Sequence, residues 1–155
     1  MRKAWLLALG AVLVAPQVTS VARSQAIRPP DPPAAIFPGE AISRAADAAP
    51  RGVRGRFVMK VRAVGRADGR LYLNSEEDYR DQRNLAVAVP PRAARATLKR
   101  LGLRRDGDFV GRRISVNGVA ERVRIDFTSN GRPTGKYYYQ THVRVDRPGQ
   151  VSLAE

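Results

Sequence analysis

The chain has 155 residues, no cysteine, and 28 basic against 14 acidic side chains, for a formal charge of +14. The missing cysteine excludes disulfides, a lipid-modified cysteine and any thiolate metal site, so stability has to come from a packed core. That length suits one domain with a modest core, and the basic excess favours polyanionic partners such as nucleic acid, lipid headgroups or acidic glycans. The preference for arginine, with only Lys3, Lys60, Lys99 and Lys136 as lysines, also follows from a GC-rich coding bias.

In chain order, Arg2 and Lys3 precede an apolar run from Ala4 to Ala15, and Ser24-Gln25-Ala26 offers small residues at signal-peptidase spacing. The run is shorter than the ~20 residues of a spanning helix. Residues 1–26 therefore read as a secretory signal peptide, the mature protein as periplasmic or secreted, with no membrane span after cleavage. Residues 27–50 read as a Pro/Ala-rich linker, since Pro29, Pro30, Pro32, Pro33 and Pro38 remove backbone donors, with a short helix within Glu40–Ala49 packing peripherally.

Residues 51–155 read as the folded domain. From Arg56 to Ala63, the residues Phe57, Met59, Val61 and Ala63 alternate with Arg56, Val58, Lys60 and Arg62, predicting a half-buried strand. Asp68-Gly69 predicts a tight turn and Leu71-Tyr72-Leu73 the returning strand. A charged loop over 74–83 leads to a third strand, Leu85–Val89. Pro90-Pro91 then suits a helix start, Ala94, Leu98 and Leu101 share one face, and Gly102 fits a C-terminal cap. A bent fourth strand runs from Ile114 to Phe127. Turn chemistry lies at Ser129-Asn130-Gly131 and Pro133-Thr134-Gly135, before a last long strand over Lys136–Val145.

Three strands, one helix and two strands resemble the order of the oligonucleotide/oligosaccharide-binding (OB) fold, a five-stranded Greek-key barrel with its helix between strands three and four. Another small β-barrel is the alternative. Within that order, Gly69–Arg80 (GRLYLNSEEDYR) resembles a hairpin-and-loop stretch of small bacterial barrels related to the thermonuclease-like group. Those relatives carry Asp-Phe-Thr into the next strand where this chain has Arg83-Asn84-Leu85. Their Asp-Gly-Asp-Thr metal motif is matched only by Asp106-Gly107-Asp108-Phe109, placed after the helix. The resemblance implies a shared scaffold and carries over no catalytic residue.

Four groups of residues invite functional readings. Glu76, Glu77, Asp78 and Asp81 form an acidic cluster that reads as a calcium site or, preferably, as a solvated loop paired with Arg80 and Arg83. His142, the sole histidine, lacks the companions of a zinc site or a nucleophilic triad and reads as a solvent-facing strand residue. In Tyr137-Tyr138-Tyr139 alternation puts Tyr137 and Tyr139 on one face, expected to fill the core. Tyr138 then shares the other with Gln140, His142 and Arg144, where it reads as stacking on a base or sugar ring or, preferably, as stiffening a cross-strand pair. Finally, Arg56, Lys60 and Arg62 on strand one and Arg112, Arg113, Arg122 and Arg124 along strand four predict a basic stripe if those strands pair.

The expectation is an exported, non-catalytic module without cofactor or metal that binds an anionic polymer such as nucleic acid or an acidic envelope polymer. A structural or protein-docking role in the envelope is the alternative. A divalent-metal-dependent nuclease is the third.

Overall fold

The computed structural model describes residues 33–154, so the signal-peptide reading and most of the proline-rich run lie outside the described residues. The described chain is mainly β, with two ten-residue helices, the short one expected before residue 51 being as long as the one expected in the domain. Strand β1 (Ala35–Ile36) and helix α1 (Pro38–Asp47) come first, followed by β2 (Val53–Lys60), β3 (Ala63–Ala67), β4 (Arg70–Asn74) and β5 (Leu85–Val89). Helix α2 (Pro91–Arg100), a 3-10 turn over Asp106–Phe109, β6 (Arg113–Ser129), β7 (Arg132–Arg144) and β8 (Val151–Leu153) complete the order. No described helix is long and apolar enough to cross a membrane.

All eight strands join one mixed sheet, ordered β1-β2-β6-β7-β5-β4-β3, with β8 on β6. The β1–β2 and β5–β7 pairs are parallel and the others antiparallel. Strands one and four of the sequence reading do pair, Met59 opposite Ile114 and Lys60 opposite Arg113. The predicted strand Arg56–Ala63 is divided, however. At Val61–Arg62 the chain turns a corner, where Val61 exchanges backbone hydrogen bonds with Arg112 and Gly111 while the Arg62 N–H donates to the Asn74 carbonyl.

The packed unit also begins earlier than residue 51. Ile36, Ala41 and Ala45 belong to the same apolar cluster as Phe57, Leu71, Leu73, Leu85, Ile114 and Val143. Alanines at i and i+4 let α1 lie close against the sheet, so it is core rather than periphery. Strand β5 has no solvent face, because Leu85, Val87 and Val89 enter the core and Ala86 and Ala88 are covered from outside.

Local turn chemistry is as the sequence predicts. Asp68 and Gly69, and again Asn130 and Gly131, both have positive φ, the type I′ hairpin geometry. Gly102, at φ +68, closes α2 in a Schellman motif, with Leu103 N–H on the Leu98 carbonyl and Gly102 N–H on that of Lys99. Pro133-Thr134-Gly135 is the exception. The turn is complete at Asn130-Gly131, so this stretch lies inside β7, where the register shifts between Asp126 and Thr128 and Gly135 takes φ +79.

The loop from Ser75 to Asn84 is held from within. Buried Asn84 donates through Nδ2 to Asn74 Oδ1 at 3.0 Å and to the Tyr79 carbonyl at 3.3 Å, and its Oδ1 accepts from Glu76 N–H at 3.2 Å. Replacing Asn84 with alanine orphans those partners together. A loss of about 2 kcal/mol in urea unfolding is expected, at the scale of buried groups left unsatisfied; unchanged stability would show the loop to be held by something else.

Candidate binding surfaces

The site is built on the part of the sheet that outruns the core. Strand β6 pairs with β2 only as far as Ala120, and β7 pairs with β5 only over Thr141–Arg144. Residues Glu121–Ser129 therefore pair only with β7, and Arg132–Gln140 only with β6, as a two-stranded arm. Alternation gives the arm two faces of different chemistry.

One face continues the core side of the sheet and carries Arg122, Arg124, Tyr137 and Tyr139. The Arg122 guanidinium lies over the Tyr139 ring at 3.8 Å and that of Arg124 over Tyr137 at 4.1 Å. The two rings meet edge-on with centroids 5.6 Å apart. These tyrosines were expected in the core; they are 49% and 41% exposed, because the apolar interior ends at Thr141 and Ala120 and the strands do not. Arg124 also pairs with Asp126 at 2.8 Å, whereas no acidic partner lies within salt-bridge distance of Arg122 among the described residues. Guanidinium planes laid on aromatic rings are held for stacking and for bidentate contact with an anion.

The other face carries Val123, Ile125, Phe127, Tyr138, Gln140 and His142, and bends over a groove of about 520 Å³. Tyr138 is half-buried against Phe127, with centroids 5.2 Å apart, and has the Gln140 amide beside it and the charges of Arg80 and Asp78 near its hydroxyl. Gln140 Nε2 donates to the Tyr79 carbonyl at 2.9 Å and to Tyr138 Oη at 3.0 Å. Its Oε1 therefore faces His142 Nε2, 2.7 Å away, which assigns the proton to Nε2 and leaves Nδ1 as an acceptor. Burial holds the Tyr138 hydroxyl above its ordinary pKa, so it remains a donor.

His142 does not face solvent as expected. It is half-buried, edge-on to Tyr72 with centroids 5.6 Å apart. Burial, and secondarily the charge of Arg70, lower its pKa, so the ring is neutral at neutral pH. The unfolded chain, whose histidine titrates near ~6.5, then binds more protons than the folded one in the window just below that value. Stability is accordingly whole above about pH 6.5 and falls as the pH drops. Melting temperatures measured from pH 8 to pH 5 should show that step and His142→Gln should flatten it; a step of equal size in the variant would assign it to other groups.

The predicted basic stripe is divided by strand parity. Lys60 and Arg113 are opposite each other on the outer face, and with Arg62 they rim a shallow depression that also holds Phe37, Pro38, Val58 and Glu76. Arg122 and Arg124, at even positions with buried Ile114 and Val116, occupy the opposite face of β6. Arg56 donates to the Pro33 carbonyl at 2.9 Å, and Arg144 pairs with Glu121 at 2.9 Å. Arg112 is exposed in the turn before β6. The structure thus joins Arg122 to Arg124 and Lys60 to Arg62 and Arg113, and leaves Arg56, Arg112 and Arg144 apart.

The acidic loop is paired internally. Asp81 meets Arg83 at 2.8 Å, which, with that residue's N–H, pulls its pKa down to about 2; Asp78 accepts the Arg80 N–H, and Glu76 faces Arg62 at 4.0 Å. The Arg80 guanidinium lies over Tyr79 instead. Among the described residues no three His, Asp or Glu side chains converge as a metal site.

No protein-family model matches the chain, and no curated protein matches it. Among solved structures, "a putative aspartyl-tRNA synthetase from Leishmania major Friedlin" is similar at 12% identity and a TM-score of 0.37. The match covers 90% of this chain and 22% of that one, a likeness too slight to bear on fold or function.

Proposed function

We propose that the domain is an OB-like barrel acting as an exported, non-catalytic binding module for an anionic polymer. Taken as one strand bent at Val61–Arg62, β2 and β3 would join the two sides of the sheet. The path then reduces to five Greek-key strands with α2 between the third and fourth. The parallel β5–β7 pair and the antiparallel β2–β6 pair support that reading. The apolar leader supports delivery to the periplasm or beyond; amino-terminal sequencing of the exported protein should begin at Ile27.

The observation that carries the function is the exposed ladder of Arg122, Arg124, Tyr137 and Tyr139 on an arm that no third strand covers. Stacked guanidinium groups offer flat cationic surfaces to bases or sugars and fixed donors to phosphate or carboxylate. Fluorescence anisotropy with a single-stranded oligonucleotide and with an acidic polysaccharide tests this. Binding that weakens steeply with salt supports it, with a log–log slope of about 0.7 per phosphate neutralised on a single strand. Salt-independent binding, or none to either probe, overturns it.

A protein-docking role is the second reading, favoured by Phe37, which is 54% exposed at the mouth of the depression rimmed by Lys60, Arg62 and Arg113. An acidic partner with an apolar anchor suits that surface.

A further inference from the structure

Past Ala120 one edge of the arm has backbone groups and no strand to bond them. Val61 exchanges hydrogen bonds with Gly111 and Arg112, and the register then sets Met59 opposite Ile114 and Val53 opposite Ala120. Even-numbered residues of β6 therefore turn their N–H and C=O groups toward β2, and odd-numbered ones the other way. Odd-numbered Arg113 accordingly accepts from Ala154 N–H on the far side. Beyond the end of β2 the same direction is kept by Arg122, Arg124 and Asp126, where no strand lies among the described residues. The arm's opposite edge is guarded: β7 carries Pro133, a kink at Gly135 with φ +79, and Lys136. The stretch Arg122–Asp126 has no proline, glycine or bulge, the backbone devices that keep an edge from pairing.

A second observation lies in the side chains of the same stretch. Val123 and Ile125 are half-buried and Phe127 is 44% exposed, an apolar row that runs beyond the packed core. β-branched and aromatic side chains on a strand gain most from apolar partners directly across a sheet. A strand added along this edge would supply them.

The order of residues along the edge selects the partner. In an antiparallel pair related by a two-fold axis, residue i faces residue j and j faces i. Opposed residues must also share a face, which centres the axis on a residue and not between two. An axis at Val123 sets Arg122 against Arg124, and one at Arg124 or Asp126 sets that charge against its own copy. An axis at Ile125 has no such conflict. It sets Arg124 against Asp126 twice, Val123 against Phe127 twice, and Ile125 against itself. We propose that this edge binds a second copy of the chain, joining the two arms in one antiparallel sheet centred on Ile125. Arg124 and Asp126 then exchange backbone hydrogen bonds as well as facing charges, and the ladders of both copies lie side by side on one face. The assignment goes beyond the polyanion reading and does not depend on it.

The test is sedimentation equilibrium of the whole purified chain at about 0.1 mM, where an interface this small should hold. The mass of two chains is expected. Asp126→Arg sets arginine against Arg124, and Arg124→Asp sets aspartate against Asp126, so each should weaken association about tenfold or more. An equimolar mixture of the two variants should regain it, because every charge across the axis then meets its opposite. Each variant has like charges at 124 and 126 within its own chain, so pairing inside one chain cannot produce that recovery. Ile125→Cys supplies a second test, because the chain has no cysteine of its own. Residue 125 faces its copy at the closest spacing of an antiparallel pair, about 4.5 Å between Cα atoms, so mild oxidation should yield a disulfide-linked dimer. Val123→Cys, which faces Phe127, should cross-link far more slowly. A single-chain mass for the unaltered protein, a mixture of folded variants that stays monomeric, or equal cross-linking at both cysteines overturns the proposal. None of these measures polyanion binding, so failure of either reading leaves the other standing.

Discussion

Reversing both arginines of the ladder, Arg122→Glu with Arg124→Glu, is expected to weaken binding of a single-stranded oligonucleotide or an acidic polysaccharide about a hundredfold or more. Each guanidinium lost removes a hydrogen bond to a charged group, about 1.5–3 kcal/mol apiece. Each glutamate added also places a repulsive charge in the ligand's path. The effect on folding should be small: both side chains are exposed, and surface cation–π contacts contribute only about 0.5–1 kcal/mol. Anisotropy titrations at fixed ionic strength, with a melting curve for each variant, separate the two quantities. The same reversal at Lys60 and Arg113 serves as the comparison, because that pair, on β2 and β6, lies on the other face of the sheet. If that pair matters and the ladder does not, the polymer runs along strands β2 and β6 and the arm is only a structural extension.

Much of this arrangement was legible in the sequence where a residue's own conformational preference settles the outcome. Asp68-Gly69, Asn130-Gly131 and Gly102 are read correctly because each demands a positive φ that few other residues accept. Strand β5 is read to the residue because prolines and the polar loop bound it. Alternation also gave the right parity at Tyr137–Tyr139: Tyr137 and Tyr139 do share the core side with Thr141 and Val143. What alternation lacks is the depth of the core. Burial stops at Thr141 while β7 continues, so residues of correct parity emerge as an exposed binding face.

The basic stripe failed for the converse reason. Arg113 and Arg122 differ in parity, so a single strand presents them on opposite sides, whatever their closeness in sequence. The groove was missed because its signal is an absence of side chains. Ala63-x-Gly65-x-Ala67, set against Tyr72-x-Asn74 across a hairpin, marks a pale floor beneath tall walls, but only once the register is known. Asn84 was passed over because one buried asparagine at a loop end looks like any other turn residue until its three partners are in place.

Gly118→Val is expected to be the most damaging single substitution in the sheet. The glycine is buried on β6, two positions before β6 parts from β2, and a Cβ there would lie 2.6 Å from the Arg144 carbonyl oxygen and 2.8 Å from Val143 Cγ1. The first of these is backbone and cannot swing aside. Close approach of two strands is what a side-chain-free position in a bent strand permits. Filling it forces β7 outward at Arg144, the end of its pairing with β5. Overpacking of this kind costs about 1–3 kcal/mol and more when backbone must move, so urea midpoints should fall sharply. Both faces of the arm follow β7, which carries Tyr137 and Tyr139 on one side and Tyr138, Gln140 and His142 on the other. Gly118→Val should therefore lower polyanion affinity as well as stability, where the arginine variants lower affinity alone. A stable Gly118→Val protein with that affinity intact would mean that the arm is positioned independently of the sheet beneath it.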